Sequence, residues 1–421
     1  MRLLSVPLRY WQSLPLYART LVGMALGALM GVFWPHAAEV FKGPSKALMG
    51  LVQMLAAPVA FFAITHALAG AKIEKGKTPR LIILLITNTC VAILIGITVA
   101  NTLQPGTRRT VTAEQRQEVN QEKTRHAAEL EQAGNAAKST TTVDSAGQIL
   151  GKLPKSLLGP FTDGGSVIGV IVLALLLGLA LRQVSPDPDA TVRVLKTFMD
   201  AFIMILHWVV QFVPLIVMGV VAEEVAINGF SSFFSLIWLI VAVLLALALQ
   251  FCYYMIRVRI GSWVRPRDLV RGCRDALAMA FSTASSTATM PVTYECLVAN
   301  VKVRESSANL GALVGANFNN DGTALYEAMA ALFVAQLLGY HLPWDSQLVI
   351  VLCAVAASVG AAGIPSAGLI TMTLVFTAVG LPLEYSLLLI PIDWFLDRFR
   401  TMINVCGDLC VSCVLDGRKS V

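Results

Sequence analysis

The sequence predicts an all-α polytopic membrane protein whose C-terminal part is built around two re-entrant helical hairpins. Three observations carry this expectation. The 421-residue chain is 56% hydrophobic and only 14% charged, with a mean hydropathy of +0.70, whereas soluble proteins carry about 25% charged residues. Apolar stretches near 14–34, 44–70, 79–103, 157–183, 194–222 and 231–256 are each long enough to cross about 30 Å of hydrocarbon. Beyond residue 260 the apolar segments are interrupted by small residues and proline, at STASSTATMPVT (282–293) and SVGAAGIPSAG (358–368).

The net charge of +6 is informative through its distribution. It gives no nucleic-acid signal. Arg2 and Arg9, then Lys72, Lys75, Lys77 and Arg80, then Arg257, Arg259, Arg265, Arg267, Arg271 and Arg274 cluster where helices are expected to be joined. The connections AEEVAINGFSS (222–232) and GYHLPWDSQ (339–347) carry no Lys or Arg. This alternation puts both termini and the basic connections in the cytoplasm of a multi-pass cell-membrane protein. No A-x-A-like cleavage site precedes the first apolar run, so no removed leader is expected.

Between the third and fourth apolar stretches, residues 107–147 interleave charges and end in a Ser/Thr/Gly/Ala tail. They read as an exposed external loop, partly helical or disordered. The two later interruptions place helix-weak backbone at membrane depth, which survives only where it lines a cavity or is buried in protein. One in each of two similar halves is the pattern of re-entrant hairpins flanking a midplane site in inverted-repeat transporters. Between them, NNDGT (319–323) puts two amides, a carboxylate, a glycine and a hydroxyl in succession inside an apolar run. Such a stretch unwinds a helix and collects oxygens suited to a hard monovalent cation.

The last segment, DWFLDRFRTMINVCGDLCVSC (393–413), holds three aspartates and two arginines. Each would cost about 2.5–3.5 kcal/mol facing lipid at the membrane centre, so they must face one another, a cavity or a ligand. Asp393, Asp397, Arg400 or Thr401, Asn404 and Asp408 recur at spacings of three and four and form one polar stripe. Arg400 offers a planar fork for a carboxylate, Asp397 an acceptor for an ammonium, and Asn404 a donor for a second carboxylate. The alternative is internal pairing of Arg400 with Asp397 or Asp393, which merely neutralises buried charge. Cys406, Cys410 and Cys413 share one helical face and read as small packing residues rather than metal ligands.

These motifs carry a resemblance. Over the whole chain, and most strongly over 275–410, the sequence resembles the dicarboxylate/amino acid:cation symporter family, which includes excitatory amino acid transporters and archaeal aspartate transporters. The matching pieces are SSTATMP (285–291), NNDGTALYEA (319–328), AASVGAAGIPSAG (356–368) and DWFLDRFRT…NVCGD (393–408), with MLAAPVAFFAI (54–64) and QPG (104–106) nearer the N-terminus. The resemblance implies eight transmembrane helices plus two re-entrant hairpins, arranged as inverted repeats in an elevator-type transporter, and a homotrimer embedded in membrane lipid. It divides the chain into scaffold helices 1–2 (1–76), transport-domain helix 3 (77–106) and a polar external loop (107–155). Scaffold helices 4–5 (156–228) follow, and then the rest of the transport domain (229–421).

The same resemblance implies an acidic amino acid as substrate, with its side-chain carboxylate on Arg400, its amino group on Asp397 and its α-carboxylate on Asn404. Thr323 and Thr401 assist, with backbone from Ser285, Ser286, Thr287 and Gly368. Na+ is implied as the co-transported ion. Gly315, Asn319, Asn404 and Asp408 match one cation site; Ser358, Val359, Ala361 and Asn317 match a second. For a third, Asp321 and Asn319 are present, but Leu85, Asn88 and Thr89 stand where sodium-coupled archaeal members carry Tyr, Thr and Ser. Glu327 matches a glutamate that animal members link to H+ coupling and counter-transported K+. Its structural alternative is a partner of Arg398, the arginine that archaeal members place at the Ala284 position instead. A neutral amino acid exchanger and a dicarboxylate:proton symporter remain alternatives within the family. Outside it, an intramembrane aspartyl protease is opposed by the missing first glycine of GxGD before Asp408, and an anion channel would show flux that does not saturate and no concentrative uptake. No enzyme activity is expected.

Overall fold

The computed structural model describes residues 16–70, 78–108, 167–184, 188–340, 342–360 and 367–418, together with residues 14 and 161. Most of the predicted external loop and the tip of the second hairpin, Ala361 and Pro365 included, lie outside the described residues. Those described are helical, with no strand among them.

Among the described residues, seven α-helices precede the interrupted region: α1 (Leu16–Phe33), α2 (Pro35–Gly70), α3 (Thr78–Leu103), α4 (Val167–Val184), α5 (Pro188–Val210), α6 (Val213–Asn228) and α7 (Ser231–Gly261). By length and hydropathy, residues 79–107 and 233–261 can each cross a bilayer alone, and α5 with α6 is a third span if their 51° bend is counted within one crossing. The bend corrects the expectation of one continuous span over 194–222. Pro214 follows the break; its ring excludes the carbonyl of Val210 and it has no N–H to give, so α5 stops at Val210. In α2, Pro44 and Pro58 are carried inside one 36-residue helix, as membrane helices packed against neighbours tolerate.

The buried apolar side chains form two main clusters. One draws on α2, α5 and α6, through residues such as Val59, Ala63, Ile203, Val217 and Val221. The α1–α6 crossing beside it is made by Gly23, Gly27 and Gly31. A methyl at these positions would collide with the carbonyls of Pro214, Met218 and Ala222, so the two backbones touch directly, the small-residue contact that membrane helices favour. The second and larger cluster joins α3, α7 and the whole C-terminal region.

That C-terminal region begins with the short α8 (Pro266–Gly272), then α9 (Arg274–Thr283) and α10 (Ser286–Glu295), which pack on each other. Ala284 in the left-handed region (φ 50°) and Ser285 in extended backbone turn the chain between them. Ser285 caps α10 by accepting a hydrogen bond from Ala288 N at 3.1 Å. A π-helical turn (Cys296–Val301) leads to α11 (Glu305–Ala308), which runs on into a second one (Asn309–Val314). The helix is then broken over Gly315–Asn320, and α12 (Asp321–Leu338) begins at the aspartate of NNDGT. The break falls where the amides and glycine lead one to expect it. An aspartate in the first turn also suits the positive end of the helix dipole. α13 (Trp344–Gly360) and α14 (Ala367–Ala378) pack on each other as the second helical pair, and α15 (Ser386–Asp416) runs through the centre of this body.

Candidate functional site

The site is the crossing of α12 and α15. Gly322 makes it possible: a methyl there would lie 2.7 Å from the Arg400 carbonyl and 3.1 Å from Asn404 Oδ1. With the helices this close, the polar stripe of α15 faces the broken start of α12. Asn404 is the bridge. Its Oδ1 accepts from Gly322 N at 2.8 Å, and its Nδ2 reaches Asn320 Oδ1 (3.3 Å) and Thr323 Oγ1 (3.4 Å).

On one side of this bridge lies a charged cluster. Arg400 is 1% exposed, and its Nη2 donates to Asp393 (2.7 Å) and Asp397 (2.9 Å), which are 25% and 39% exposed. Both pairings anticipated as internal neutralisation are therefore made. They do not use the guanidinium up, because Nε and Nη1 are buried without a hydrogen-bond partner. The Tyr326 ring lies under it, 4.2 Å from centroid to Cζ. Gly368, at the start of α14, sits over it: a Cβ there would be 3.4 Å from Nη1. One guanidinium against two carboxylates leaves an acceptor charge for a cationic group beside free donors for an anionic one.

Arg398 points elsewhere. Its Nη1 donates to the carbonyls of Phe281 and Ser282, each at 2.9 Å, and its guanidinium covers the Trp394 ring. It thus ties α15 to the end of α9, one turn before Ser285. This corrects the pairing of Glu327 with Arg398 considered from the sequence. Glu327 is fully buried, with the Thr371 hydroxyl of α14 and the charges of Arg400 and Asp393 acting on it.

On the other side lie two buried carboxylates. Asp408 (1% exposed) accepts from Asn319 Nδ2 at 3.0 Å, and the same amide reaches the Asn404 carbonyl at 3.2 Å. Asp321 (0% exposed) accepts from Thr89 Oγ1 at 2.6 Å and from the Tyr254 hydroxyl. Among the described residues neither aspartate makes an ion pair. Asn319 Oδ1 is a buried acceptor with no donor, and Gly315 lies against Asp408, a Cβ there being 3.8 Å from its Oδ1. Oxygens of this kind, negative in sum and dry, fit a monovalent cation carried as cargo.

The structure therefore gathers Arg400, Asp397, Thr401, Asn404, Thr323 and Gly368 at one end, and Gly315, Asn319, Asp321, Asp408 and Thr89 at the other. Ser285, Ser286 and Thr287 form the first turn of α10, which packs against α15. Ser358 and Val359 belong to the last turn of α13 with their side chains outside the description; so is the side chain of Asn317. Cys406, Cys410 and Cys413 are buried free thiols.

The sequence profile of the sodium:dicarboxylate symporter family matches residues 16–418. The chain belongs to this family. It is a family of multi-pass membrane transporters rather than of enzymes. Among individual relatives, human excitatory amino acid transporter 5 is 37% identical over 255 residues, 59% of this chain and 45% of that protein. Human excitatory amino acid transporter 3 is 38% identical over 258 residues, 60% of this chain and 48% of that protein. The match to excitatory amino acid transporter 1 of Ambystoma tigrinum is longer, at 29% identity over 414 residues, 88% of this chain and 76% of the relative. The chain thus spans about half the length of the two human relatives.

Two participants in the site were missed from the sequence. Tyr254 and Arg257 were read respectively as part of an apolar span and as a cytoplasmic charge, because α7 was expected to end near residue 256. The helix instead continues to Gly261 and carries Arg257 against α3 and the Tyr254 hydroxyl to Asp321 of α12. The signal that would have found them is the run YYMIRVR (253–259), in which hydroxyls and guanidiniums recur at helical spacing inside an apolar helix.

Proposed function

We propose that this protein is a secondary active symporter that carries acidic amino acids, aspartate or glutamate, with Na+. The buried Arg400 carries this reading: it has two donors unused, two aspartates beside it and Gly368 above it. Such a pocket offers donors to a side-chain carboxylate and acceptors to an ammonium group. Asn404 and Thr323, with the α10 N-terminus at Ser285, Ser286 and Thr287, supply further donors for the α-carboxylate. Na+ travels as cargo at the Asp408–Asn319–Gly315 end, and binding both cargoes across the Asn404 bridge couples them. Without the cation, the buried Asp408 carboxylate stays uncompensated and the broken segment 315–320 is held less firmly for substrate.

The two apolar cores support an elevator movement in which the α3/α7/α9–α15 body slides against α1, α2 and α4–α6. A homotrimer with cytoplasmic termini in the cell membrane completes this reading. Glu327, fully buried near Arg400, is the candidate proton carrier and the group that would serve a K+-dependent return. Uptake of labelled aspartate and glutamate into proteoliposomes, with Na+, H+ and K+ gradients imposed one at a time, tests the whole reading. Concentrative, saturable uptake under the Na+ gradient is expected. Uptake of serine or alanine in preference to aspartate would reassign the substrate, and non-saturating flux would make the protein a channel.

A further inference from the structure

Arg257 and Asp321 present two opposite charges that do not meet. Asp321 is fully buried and its oxygens are held by the hydroxyls of Thr89 and Tyr254. Arg257 is half-buried, and its Nη1 donates to Asn88 Oδ1, to the Tyr253 hydroxyl at 2.8 Å and to the Leu84 carbonyl. Among the described residues Arg257 makes no ion pair. The partners of the two charges are chain neighbours: Asn88 with Thr89 on α3, Tyr253 with Tyr254 on α7. The guanidinium is thus held by the chain neighbours of the two residues that hold Asp321, and its charge acts on that carboxylate. Its outward side borders an apolar groove of about 650 Å³ lined by Ile83, Ile256 and Ile260. That groove's only other cationic lining residue, Arg80, is bonded to the Val414 carbonyl at 2.9 Å.

Asp321, fully buried, would be costly without an opposite charge near it, since leaving a buried ion uncompensated costs about 3–5 kcal/mol. The amide oxygen of Asn88, next in the chain to the Thr89 that holds Asp321, would otherwise be free to coordinate a mobile ion. Here a side-chain cation holds it. We infer that Arg257 is a tethered cation that takes the place of one transported cation at the Asp321–Thr89–Asn88 corner, so that this chain binds its substrate with one cation fewer than the acidic groups of the site would otherwise collect. The cation at Asp408 and Asn319 is unaffected, since Arg257 makes no bond to either residue.

The inference rests on the proposed Na+-coupled binding of acidic amino acids, and equilibrium binding separates the two. Aspartate affinity of the purified protein in detergent is measured by calorimetry at a series of Na+ concentrations. The slope of log Kd against log [Na+] counts the ions bound with substrate, by linkage. Arg257→Gln is expected to steepen that slope by about one, a further tenfold in Kd per decade of Na+, while Arg257→Lys keeps the wild-type slope. Arg257→Met, which preserves the aliphatic stem, is the second variant should the glutamine protein not fold. Equal slopes in the wild type and the neutral variants, with affinity merely reduced, would overturn the inference and make Arg257 an anchor between α3 and α7. Absence of any Na+-dependent aspartate binding by the wild type would overturn the proposed function, and this inference with it.

Discussion

Two helix crossings in this molecule use the same device for opposite ends. At α1–α6, Gly23, Gly27 and Gly31 bring the backbones together beside an apolar core. At α12–α15, Gly322 does the same, but the side chains around it are Arg400, Asn404, Thr323 and Asp321. The first contact gains dispersion and nothing else, which suits a fixed joint. The second brings backbone N–H groups and amides close enough to satisfy one another while leaving Arg400 Nε and Nη1 and Asn319 Oδ1 without partners. Close approach is thus a packing solution in one place. In the other it concentrates unmet polarity, and unmet polarity in a dry interior is what a ligand can complete.

The largest effect on this contrast should come from Arg400→Cys. Two half-exposed aspartates lose their buried counter-charge and the substrate carboxylate loses its donors, a cost of about 3 kcal/mol or more for breaking a pair with one buried partner. Aspartate binding by calorimetry should weaken more than a hundredfold, with serine or alanine binding as a gain to look for. Survival of aspartate affinity within threefold would mean that the assigned pose is wrong. Next come matched glycine substitutions. Gly27→Ala overpacks the apolar crossing at about 1–3 kcal/mol and should lower the thermal midpoint in detergent while leaving aspartate affinity within about twofold. Gly322→Ala should lower both. Equal effects of the two on binding would erase the distinction between a structural crossing and a functional one.

Asp408→Asn is expected to act more narrowly. It removes charge from the corner with Asn319 and should flatten the Na+ dependence of aspartate binding by about one in slope, with the protein still folded. The smallest effect on binding should be that of Glu327→Gln, which keeps shape and burial but cannot ionise. Aspartate exchange between preloaded liposomes should continue at near wild-type rate, while net uptake driven by an imposed pH gradient disappears. A variant that answers the pH gradient as the wild type does would remove Glu327 from coupling and leave it a buried polar neighbour of Arg400.

Much of this architecture was legible in the residues. NNDGT announced a broken helix, and α12 starts at its aspartate because two amides and a glycine stabilise non-helical backbone as readily as helix. The spacing of Asp393, Asp397, Arg400, Asn404 and Asp408 announced a single polar face, since 3.6 residues per turn leaves no other arrangement. Less was legible where the outcome depended on a neighbour. Residues 194–222 read as one span until Pro214 forced the bend, and Arg257 read as a loop charge until α7 proved longer. Glu327 and Arg398 invited pairing, yet Arg398 found the carbonyls that end α9.

By itself the sequence determined which segments are apolar, where helices must break, and that a cluster of opposite charges had to be sheltered from lipid. These follow from local backbone preference and from the cost of desolvation, which act on a segment whatever surrounds it. Only the tertiary structure decided which partner each buried polar group received: Asp393 and Asp397 for Arg400, Thr89 and Tyr254 for Asp321, Asn88 for Arg257. Those choices join residues as far as 232 positions apart in the chain, and they are settled by the few ångströms of approach that glycine at a crossing permits.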